Sequence, residues 1–284
     1  MDGAATRNPG ASDATTNRDC HQTEDLASPK SGAAKMSKVR VVLRAGAFVG
    51  FSAGILTAYE ARRALTPAEG QERLGSRYLA RLTDGLLRIF GAELLVQGQH
   101  THEGGALIVA NHQSALDIGV MLSLFQGVLL SRHDVADWPL LGRLAKHGDT
   151  IFVDREDRRS GAAALREIRR RAKQGRTVVA FPEGGTSPGD SVLEFHPGTF
   201  AAVRSLDVPI IPVGIAYSPA IPFEKESFPK HMAKIAARPR TRIAVHLGEP
   251  LPPSPDARSA AEAARSRVEG LVANGRRVLD HVPR

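Results

Sequence analysis

The chain has 284 residues, of which 42% are apolar, 24% are charged and 5% are aromatic. This composition is typical of a globular protein with a sizeable core, and it excludes fibrous and disulfide-scaffold classes, since Cys20 is the single cysteine. The net charge of +8 favours an anionic partner, such as a nucleic acid, a phosphorylated small molecule or an anionic bilayer.

Residues 1–36 are rich in small and polar side chains, and Leu26 is the only large apolar residue before Met36. Such a segment buries too little apolar surface to offset the entropy lost on ordering. It has acidic residues and lacks an apolar core, so it does not resemble a secretory signal. We predict a disordered tail here, and no role for Cys20.

An apolar stretch follows at residues 39–59, with Arg40 and Arg44 before its uncharged part and Arg62 and Arg63 after it. Its uncharged part, Ala45 to Tyr59, is shorter than the roughly 20 residues that a transmembrane helix needs. Two interpretations stay open. The stretch contacts a membrane, by spanning it or lying in its interface, or it is an ordinary core helix.

Residues 75–96 have apolar side chains at helical spacing, with Gly91 as a candidate end of the helix. This pattern predicts an amphipathic helix that packs on the body or lies on a membrane. We therefore divide the chain into a disordered tail at 1–36, N-terminal hydrophobic and amphipathic helices at 37–96, and an α/β domain at 97–284.

The α/β domain is predicted from short apolar runs that alternate with helical segments. The strand candidates are 106–110, 128–131, 150–153, 177–181, 210–216 and 242–247; the helix candidates are 114–125, 137–146, 160–174, 197–206 and 255–281. Near-continuous apolar strands are typical of a parallel sheet covered on both faces. The fold class predicted is therefore α/β, with a mostly parallel central sheet flanked by helices and preceded by N-terminal membrane-associating helices.

The first chemical motif runs from Asn111 to Asp117, directly after a predicted strand. His112 carries an imidazole, the side chain that most often serves as a general base, and Asp117 lies five positions further on. If His112 lies in the turn and Asp117 in the first turn of the next helix, the carboxylate can orient the imidazole as a general base. On this segment alone, the commoner arrangement of a His and an Asp near a helix start is a helix cap and a solvated residue, without a catalytic role.

A second and a third motif also follow predicted strands. Arg155 ends the segment Phe152–Arg155 and could present a forked donor to a phosphate, or exchange ion pairs at the surface. Glu183, Gly184 and Gly185 form a turn that allows close backbone approach to a ligand, or a plain glycine turn. The Glu183 carboxylate, at the end of a predicted strand, needs a partner for a hydrogen bond or an ion pair.

The fourth motif is Val208–Val213, in which Pro209 and Pro212 interrupt an apolar run. Proline removes a ladder donor, so the run suits an edge strand, or else the wall of a groove.

In this order the four motifs resemble the glycerolipid acyltransferase family that acylates lysophosphatidic acid. The family's first motif, Asn-His-x-x-x-x-Asp, is matched by Asn111, His112 and Asp117; the other motifs are matched at 152–155, at 181–184 with Ser187, and at 208–213, and the segment 138–142 resembles the family's linker. The resemblance covers about residues 75–250.

The resemblance implies transfer of a fatty acyl group from acyl-CoA or acyl carrier protein to the free hydroxyl of a lysophospholipid, first of all 1-acyl-sn-glycerol 3-phosphate. His112 would be the general base and Asp117 would orient it. No metal and no cofactor beyond the thioester co-substrate is implied. The substrate-binding residues implied are Arg155, Glu183, Gly184, Gly185, Thr186 and Pro212.

One departure concerns the acceptor. Where the family often has Thr-Arg, this chain has Gly185 and Thr186, so an arginine of the third motif is absent. This stretch looks more like a bacterial subgroup, some members of which act on lyso-ornithine lipids. Lyso-ornithine lipid, glycerol 3-phosphate and lysophosphatidylcholine therefore remain alternative acceptors.

The expected partners are anionic membrane lipids, the lysophospholipid acceptor and the thioester carrier. The expected location is the cytoplasmic face of the cell membrane, with residues 39–59 as an anchor or a peripheral contact. A nucleic-acid partner is not expected, because the most basic helix, residues 166–176, has no aromatic side chains. The intact His112 and Asp117 speak against a catalytically silent lipid binder.

Overall fold

The computed structural model describes residues 29–99, 105–137, 141–154, 156–189, 191–223, 226–252, 254 and 256–281. Helices and strands alternate through most of these ranges, as expected for an α/β protein. In chain order they are α1 (Pro29–Arg63), α2 (Ala68–Ile89), β1 (Ala92–Gln97), β2 (Leu107–Ala110), α3 (Ala115–Phe125), β3 (Val128–Arg132), a 3-10 turn (His133–Asp137), α4 (Leu141–His147), β4 (Ile151–Val153), α5 (Arg158–Lys173), β5 (Val178–Ala180), α6 (Gly198–Val203), β6 (Ile210–Ser218), α7 (Phe228–Ala237), β7 (Thr241–Leu247) and α8 (Ala257–His281).

The described strands form one seven-stranded sheet in the order β1-β7-β6-β2-β5-β3-β4. All neighbouring pairs in it are parallel except β6 and β7, which run antiparallel. The predicted fold class, a mostly parallel sheet with flanking helices, is confirmed. In such a sheet the carboxyl ends of the parallel strands meet at one edge, which is where ligands bind in open α/β folds.

The two faces of the sheet are covered by different helices. Along β2, Ile108 and Ala110 pack toward α1, α2, α3 and α7, whereas Leu107 and Val109 pack toward α5, α6 and α8. All four side chains are fully buried. Each large apolar side chain removed from water in this way stabilises the fold by roughly 1.5–3 kcal/mol. The continuous apolar strands predicted from the sequence therefore have their physical reason in a sheet buried on both sides.

The segment 75–96 differs from its sequence-based interpretation. Helix α2 ends at Ile89, and Gly91 adopts a φ of 72°, which turns the chain into β1. Strand β1 pairs with β7, so the predicted helix was wrong beyond Ile89, and the predicted boundary at 96 falls inside a strand. The apolar residues of β1 continue the period of α2, which is why the pattern hid the change of structure.

Helix α1 begins at Pro29, so the prediction of disorder over 1–36 was wrong for its last residues. Residues 1–28, including Cys20, lie outside the described residues. The segment Lys35–Arg63 is long and apolar enough to cross a bilayer, which makes α1 a candidate membrane anchor. Arg44 ties it to the body by donating to the carbonyl oxygens of Arg238, at 2.6 Å, and Pro239, at 2.9 Å.

Two further differences affect the surroundings of the site. Helix α7 was not predicted, because its proline-containing start follows a proline-rich segment and its apolar positions are few. The helix predicted at 137–146 is a 3-10 turn and the separate helix α4, with residues 138–140 between them outside the described part of the chain. Most of the segment 138–142, which resembles the family's linker, therefore lies outside the described residues.

Candidate active site

The first and third motifs meet at the carboxyl edge of the sheet. Strand β2 ends at Ala110 and leads directly into Asn111, and its neighbour β5 ends at Ala180, just before the third motif. On the other side of β2, strand β6 brings Tyr217 to the same edge. Three adjacent parallel strands thus deliver side chains that are far apart in sequence to one place.

Asn111 continues the pairing of β2 where the strand itself ends. Its Nδ2 donates to the carbonyl oxygen of Ile215 at 2.9 Å, and its Oδ1 accepts from the Ile215 N–H at 2.8 Å. Gln113 Nε2 donates to the same carbonyl at 3.0 Å. Two side-chain amides therefore substitute for backbone groups and fix the turn that carries His112.

The spacing between His112 and Asp117 is explained by a helix cap. Ser114 is the N-cap of α3 and Asp117 is its third residue, and the two form a capping box. In this position the Asp117 carboxylate turns back over the start of the helix. Its Oδ2 accepts from the N–H groups of Gln113, at 2.6 Å, and Ser114, at 2.8 Å, and lies 2.9 Å from His112 Nδ1.

The Asp117 carboxylate is completely buried, yet it has hydrogen-bond partners on both oxygens. The hydroxyl of Tyr217 donates to Oδ1. Burial and the neighbouring Asp117 raise the pKa of Tyr217 well above its ordinary value, so this hydroxyl stays protonated and remains a donor. Sequence analysis missed Tyr217, because it lies on a strand 100 positions away and no motif marks it.

The His112 side chain is 16% exposed and lines a cavity. Its ring stacks on Phe181, with ring centroids 4.2 Å apart and planes 18° from parallel. Because Nδ1 is engaged by Asp117, Nε2 is the ring nitrogen left to face a molecule in the cavity. The arrangement is an imidazole with one orientation, one tautomer and one accessible nitrogen.

Glu183 supports the backbone of His112. Its Oε1 accepts from the His112 N–H at 3.1 Å, while the Ser187 N–H donates to the His112 carbonyl oxygen at 2.7 Å. Glu183 is only 5% exposed, and this burial raises its pKa to about 8. The partner that the sequence required for this carboxyl group is thus a main-chain amide of the first motif.

The cavity in front of His112 has a volume of about 400 Å³. The turn Gly184–Thr186 forms one wall, so these three residues lie where the sequence places substrate-binding groups. Thr186 is held by a 2.7 Å hydrogen bond from its hydroxyl to the Phe223 carbonyl oxygen. The charged side chains among the described lining residues are Arg132, Asp134 and Glu226.

A second cavity, of about 120 Å³, lies beside the first and is almost wholly apolar. It is enclosed by α2, α3 and their neighbours, and Gly119 on α3 faces Leu87 on α2 across it. The two cavities share walls formed by Ile118, Leu129, Ser131, Val135 and Phe228. A compartment of mixed polarity, lined by the imidazole, therefore adjoins a compartment suited to a hydrocarbon chain.

Among the described residues predicted to bind substrate, Glu183 and Pro212 line neither cavity. Arg155 lies outside the described residues. Pro212 is buried within β6, where it pairs with Val109, and it lines neither cavity. Strand β6 lies between β2 and β7, so the interpretation of the fourth motif as an edge strand was wrong. Its prolines are tolerated inside the sheet, with Pro212 packed against Gly248.

Comparison with known proteins accords with this geometry. A family model described as Acyltransferase matches residues 93–216, which contain the His112–Asp117 motif and the Gly184–Thr186 turn. The chain is also 30% identical, over 84% of its length and 97% of the relative's, to a lyso-ornithine lipid O-acyltransferase of Pseudomonas aeruginosa. The chain belongs to the glycerolipid acyltransferase family. The acyltransferase resemblance drawn from the motifs is confirmed.

Other relatives of this acyltransferase carry two different names. A lyso-ornithine lipid O-acyltransferase of Rhizobium meliloti is 36% identical over 45% of the chain, and the match spans 44% of that enzyme. A 1-acyl-sn-glycerol-3-phosphate acyltransferase of Neisseria gonorrhoeae is 29% identical over 41% of the chain and 46% of that enzyme. The 1-acyl-sn-glycerophosphate acyltransferase of Thermotoga maritima has the same fold, with a TM-score of 0.64 and 21% identity over 90% of this chain and 99% of that one.

Proposed function

We propose that this acyltransferase moves a fatty acyl group from a thioester of coenzyme A or acyl carrier protein to the free hydroxyl of a lysolipid, with lyso-ornithine lipid as the first candidate acceptor. The observation that carries the chemistry is the 2.9 Å contact between His112 Nδ1 and Asp117 Oδ2 at the wall of a cavity. Because this contact engages Nδ1, the other ring nitrogen of His112, Nε2, is left to act as a base on a molecule in the cavity.

In the proposed reaction, His112 Nε2 accepts the proton of the acceptor hydroxyl as its oxygen attacks the thioester carbonyl. A carbon–oxygen bond forms, the carbon–sulfur bond breaks, and the proton passes from His112 to the departing thiolate. The acyl group moves directly, without an enzyme nucleophile. General base catalysis of this kind accelerates reactions by about 10² to 10⁴-fold. No metal ion or cofactor takes part in this scheme.

Asp117 has two roles in this scheme. It keeps the proton of neutral His112 on Nδ1, and it stabilises the imidazolium that forms during the attack. Because the backbone amides and Tyr217 hold the carboxylate, it need not reorganise as the charge develops. Preorganisation of this sort, together with positioning of the two substrates, accounts for the remaining acceleration.

The proposed acceptor rests on the charges around the cavity. Arg132 at its rim is paired with Asp134, with Nε and Oδ1 3.0 Å apart, and the Glu226 carboxylate is paired with Lys234, with Oε2 and Nζ 2.7 Å apart. A phosphate monoester favours a lining with excess positive charge. A mixed lining suits a zwitterionic head group such as ornithine, which offers both a carboxylate and an ammonium group. The relative from Pseudomonas aeruginosa that matches most of the chain bears the same acceptor in its name.

A second candidate acceptor is 1-acyl-sn-glycerol 3-phosphate, which the motif resemblance favours. The relative from Neisseria gonorrhoeae bears this acceptor in its name, and Arg132 offers a forked donor for a phosphate. In this chain the arginine of the third motif is replaced by Thr186, which weakens the phosphate assignment. Glycerol 3-phosphate and lysophosphatidylcholine have no observation in their favour.

The apolar cavity is the proposed site of a fatty acyl chain. Its lining is nearly free of polar surface, and it shares a wall with the His112 cavity. Burying a methylene group there contributes roughly 0.8 kcal/mol. A chain seated between α2 and α3 would present its carbonyl end or its hydroxyl-bearing end near His112.

We place the enzyme on the cytoplasmic face of the cell membrane, with α1 lying along the surface. Val42 and Leu43 on α1 are 71% and 68% exposed, whereas Leu56 and Tyr59 on the same helix are buried in the body. Arg44 is bonded to backbone carbonyls beside α7, so this part of α1 stays with the body. The face of α1 that carries Val42 and Leu43 is thus free to enter a leaflet. The arginines on both sides of the apolar part of α1 suit contact with anionic lipids.

The deciding experiment offers the purified full chain, in detergent micelles, four acceptors with palmitoyl-CoA or palmitoyl acyl carrier protein. His112→Gln serves as the matched background control. We expect lyso-ornithine lipid to give a kcat/KM at least tenfold above that of 1-acyl-sn-glycerol 3-phosphate, lysophosphatidylcholine and glycerol 3-phosphate. Preference for the phosphate acceptor would refute the acceptor assignment alone, and no transfer above background to any acceptor would refute the proposed function.

A further inference from the structure

A second buried polar cluster lies behind the His112–Asp117 pair. His231 on α7 is completely buried, and its two ring nitrogens have different partners. Nε2 lies 3.0 Å from the Ser114 hydroxyl oxygen, and Nδ1 lies 3.1 Å from Oε1 of Glu226. A serine, a histidine and a glutamate are therefore in series, immediately next to the first motif.

This series is not placed to form an acyl-enzyme. Ser114 is completely buried and lines neither cavity, so a thioester in front of His112 cannot reach its oxygen. The same oxygen caps α3, since it accepts from the Leu116 N–H at 3.4 Å. A nucleophilic serine needs access to the substrate, which the helix start denies to Ser114.

The hydrogen bonds to His231 indicate its tautomer. The backbone N–H of Ala115 points at Nε2 from 3.4 Å, so Nε2 is an acceptor and the ring proton is on Nδ1, where Glu226 accepts it. Burial lowers the pKa of His231, which favours this neutral form, although Glu226 acts in the opposite direction. Lys234 holds the other Glu226 oxygen at 2.7 Å and lowers the pKa of that carboxyl group.

The neutral form has a consequence for Ser114. Its hydroxyl has a single proton, and when that proton is donated to His231 Nε2, the oxygen lone pairs are left for the N–H groups at the start of α3. The N–H of the same residue donates to Asp117 Oδ2 at 2.8 Å. Ser114 therefore joins His231 to the Asp117 carboxylate.

We propose that His231 is a positioning residue, which through Ser114 and the Ala115 N–H holds the first turn of α3 in the geometry that presents Asp117 to His112. Glu226 acts on His231 by fixing the ring and its tautomer. The inference rests on the proposed roles of His112 and Asp117. The His231 ring lines neither of the two cavities, although its neighbours Phe223 and Glu226 line the one in front of His112, so we expect its main effect on the rate of the chemical step.

Two substitutions of His231 distinguish the effect of its bond to Ser114 from that of its bond to Glu226. In His231→Gln the longer amide places an oxygen near the position of Nε2, where it accepts from Ser114 and Ala115. In His231→Asn the shorter amide can donate toward Glu226 but leaves the start of α3 without its acceptor. A matched control is His246→Asn, since His246 is also buried, at 5% exposure, but lies on β7.

Measured as acyl transfer to the preferred acceptor, His231→Asn should lower kcat at least tenfold with both KM values within twofold of the parent. His231→Gln should restore kcat to within threefold of the parent, and His246→Asn should leave it within twofold, whatever its melting temperature. A normal kcat in His231→Asn, or equal losses in the Asn and Gln variants that follow their melting temperatures, would overturn the proposal.

A second variant covers the case in which His231→Asn does not fold. Ser114→Gly keeps an acceptable N-cap but removes the hydroxyl that His231 holds. We expect a drop in kcat of about tenfold at a nearly unchanged melting temperature. An unchanged kcat would overturn the positioning role, and a loss as complete as that of His112→Gln would overturn it in favour of a serine nucleophile. Full activity in His112→Gln would instead refute the proposed function.

Discussion

The Glu183 side chain accepts a hydrogen bond from the His112 backbone N–H at 3.1 Å, which joins the third motif directly to the first. The contact does not require the Glu183 carboxyl group to be charged. The oxygen of a neutral carboxylic acid or of an amide accepts a hydrogen bond from an N–H with the same geometry. The residue that the motif resemblance implies as a substrate ligand is thus, in the structure, part of the frame around His112.

This relationship leads to a prediction about pH and stability. The pKa of Glu183 is raised from 4.5 to about 8 in the folded protein, so the fold binds a proton that the unfolded chain releases over this interval. The stability that this provides is fully present below pH 4.5 and is lost as the pH rises toward 8, by up to about 1.4 kcal/mol per pH unit. In Glu183→Gln the side-chain amide does not ionise in this range, so the stability of this variant lacks the dependence on pH that Glu183 causes.

We therefore expect the melting temperature of the parent protein to fall relative to that of Glu183→Gln as the pH increases from 4.5 to about 8. Thermal unfolding of both proteins, followed across this range in the same detergent, measures the difference. Parallel curves would show that Glu183 keeps an ordinary pKa in the fold.

Tyr217→Phe removes one hydrogen bond from the Asp117 carboxylate and leaves Oδ1 buried without it. Hydrogen bonds to charged groups contribute roughly 1.5–3 kcal/mol, which corresponds to a rate effect of about tenfold or more. We expect kcat to fall by that amount with little change in either KM. Tyr59→Phe is the matched control, since Tyr59 is as buried but lies on α1. Equal kcat values in the two variants would remove Tyr217 from the site.

Gly119→Leu tests the apolar cavity. A Cβ at this position would meet the Leu87 side chain at 3.5 Å, an ordinary contact, so alanine fits here, whereas the longer leucine side chain competes with Leu87 for the space that lines the cavity. We expect kcat/KM for palmitoyl thioester to fall at least tenfold relative to that for octanoyl thioester. Gly119→Ala, which adds only the Cβ, should keep the parent ratio. The same chain-length ratio in all three proteins would exclude an acyl chain from this cavity.

The membrane assignment of α1 is tested by the double substitution Val42→Asp and Leu43→Asp, at positions that are 71% and 68% exposed. Charges on this face should abolish cosedimentation of the full chain with vesicles of anionic phospholipid. Val96→Asp, at an exposed position on β1, is the control and should bind like the parent. Binding by the double variant equal to that of the control would mean that another surface contacts the lipid.

The sequence could predict the contact between His112 and Asp117 because a local rule governs it. A polar residue at the start of a helix with an acid three positions later forms a capping box, and this geometry brings Asp117 back to the turn. The alternation of apolar strands with helices gave the fold class for a similar reason, since the period of each element is local.

The residues that support this contact could not be predicted in the same way. Tyr217 and His231 reach the site from β6 and α7, more than 100 positions after the motif, and only the folded sheet brings them there. Strand β1 was missed because its short apolar pattern merges with that of α2, and helix α7 because it begins at a proline after a proline-rich segment and has few apolar positions. Pro212 was assigned to the acceptor from its motif alone, and the structure shows it within the sheet.

The most direct test of the central claim is the single-turnover rate of thiol release by His112→Gln, with acceptor and thioester both saturating. Glutamine keeps the size of the side chain but cannot take up a proton, so we expect the rate to fall at least about 100-fold while the melting temperature stays close to that of the parent. A folded variant that retains more than about a tenth of the parent rate would contradict the assignment of His112 as the general base.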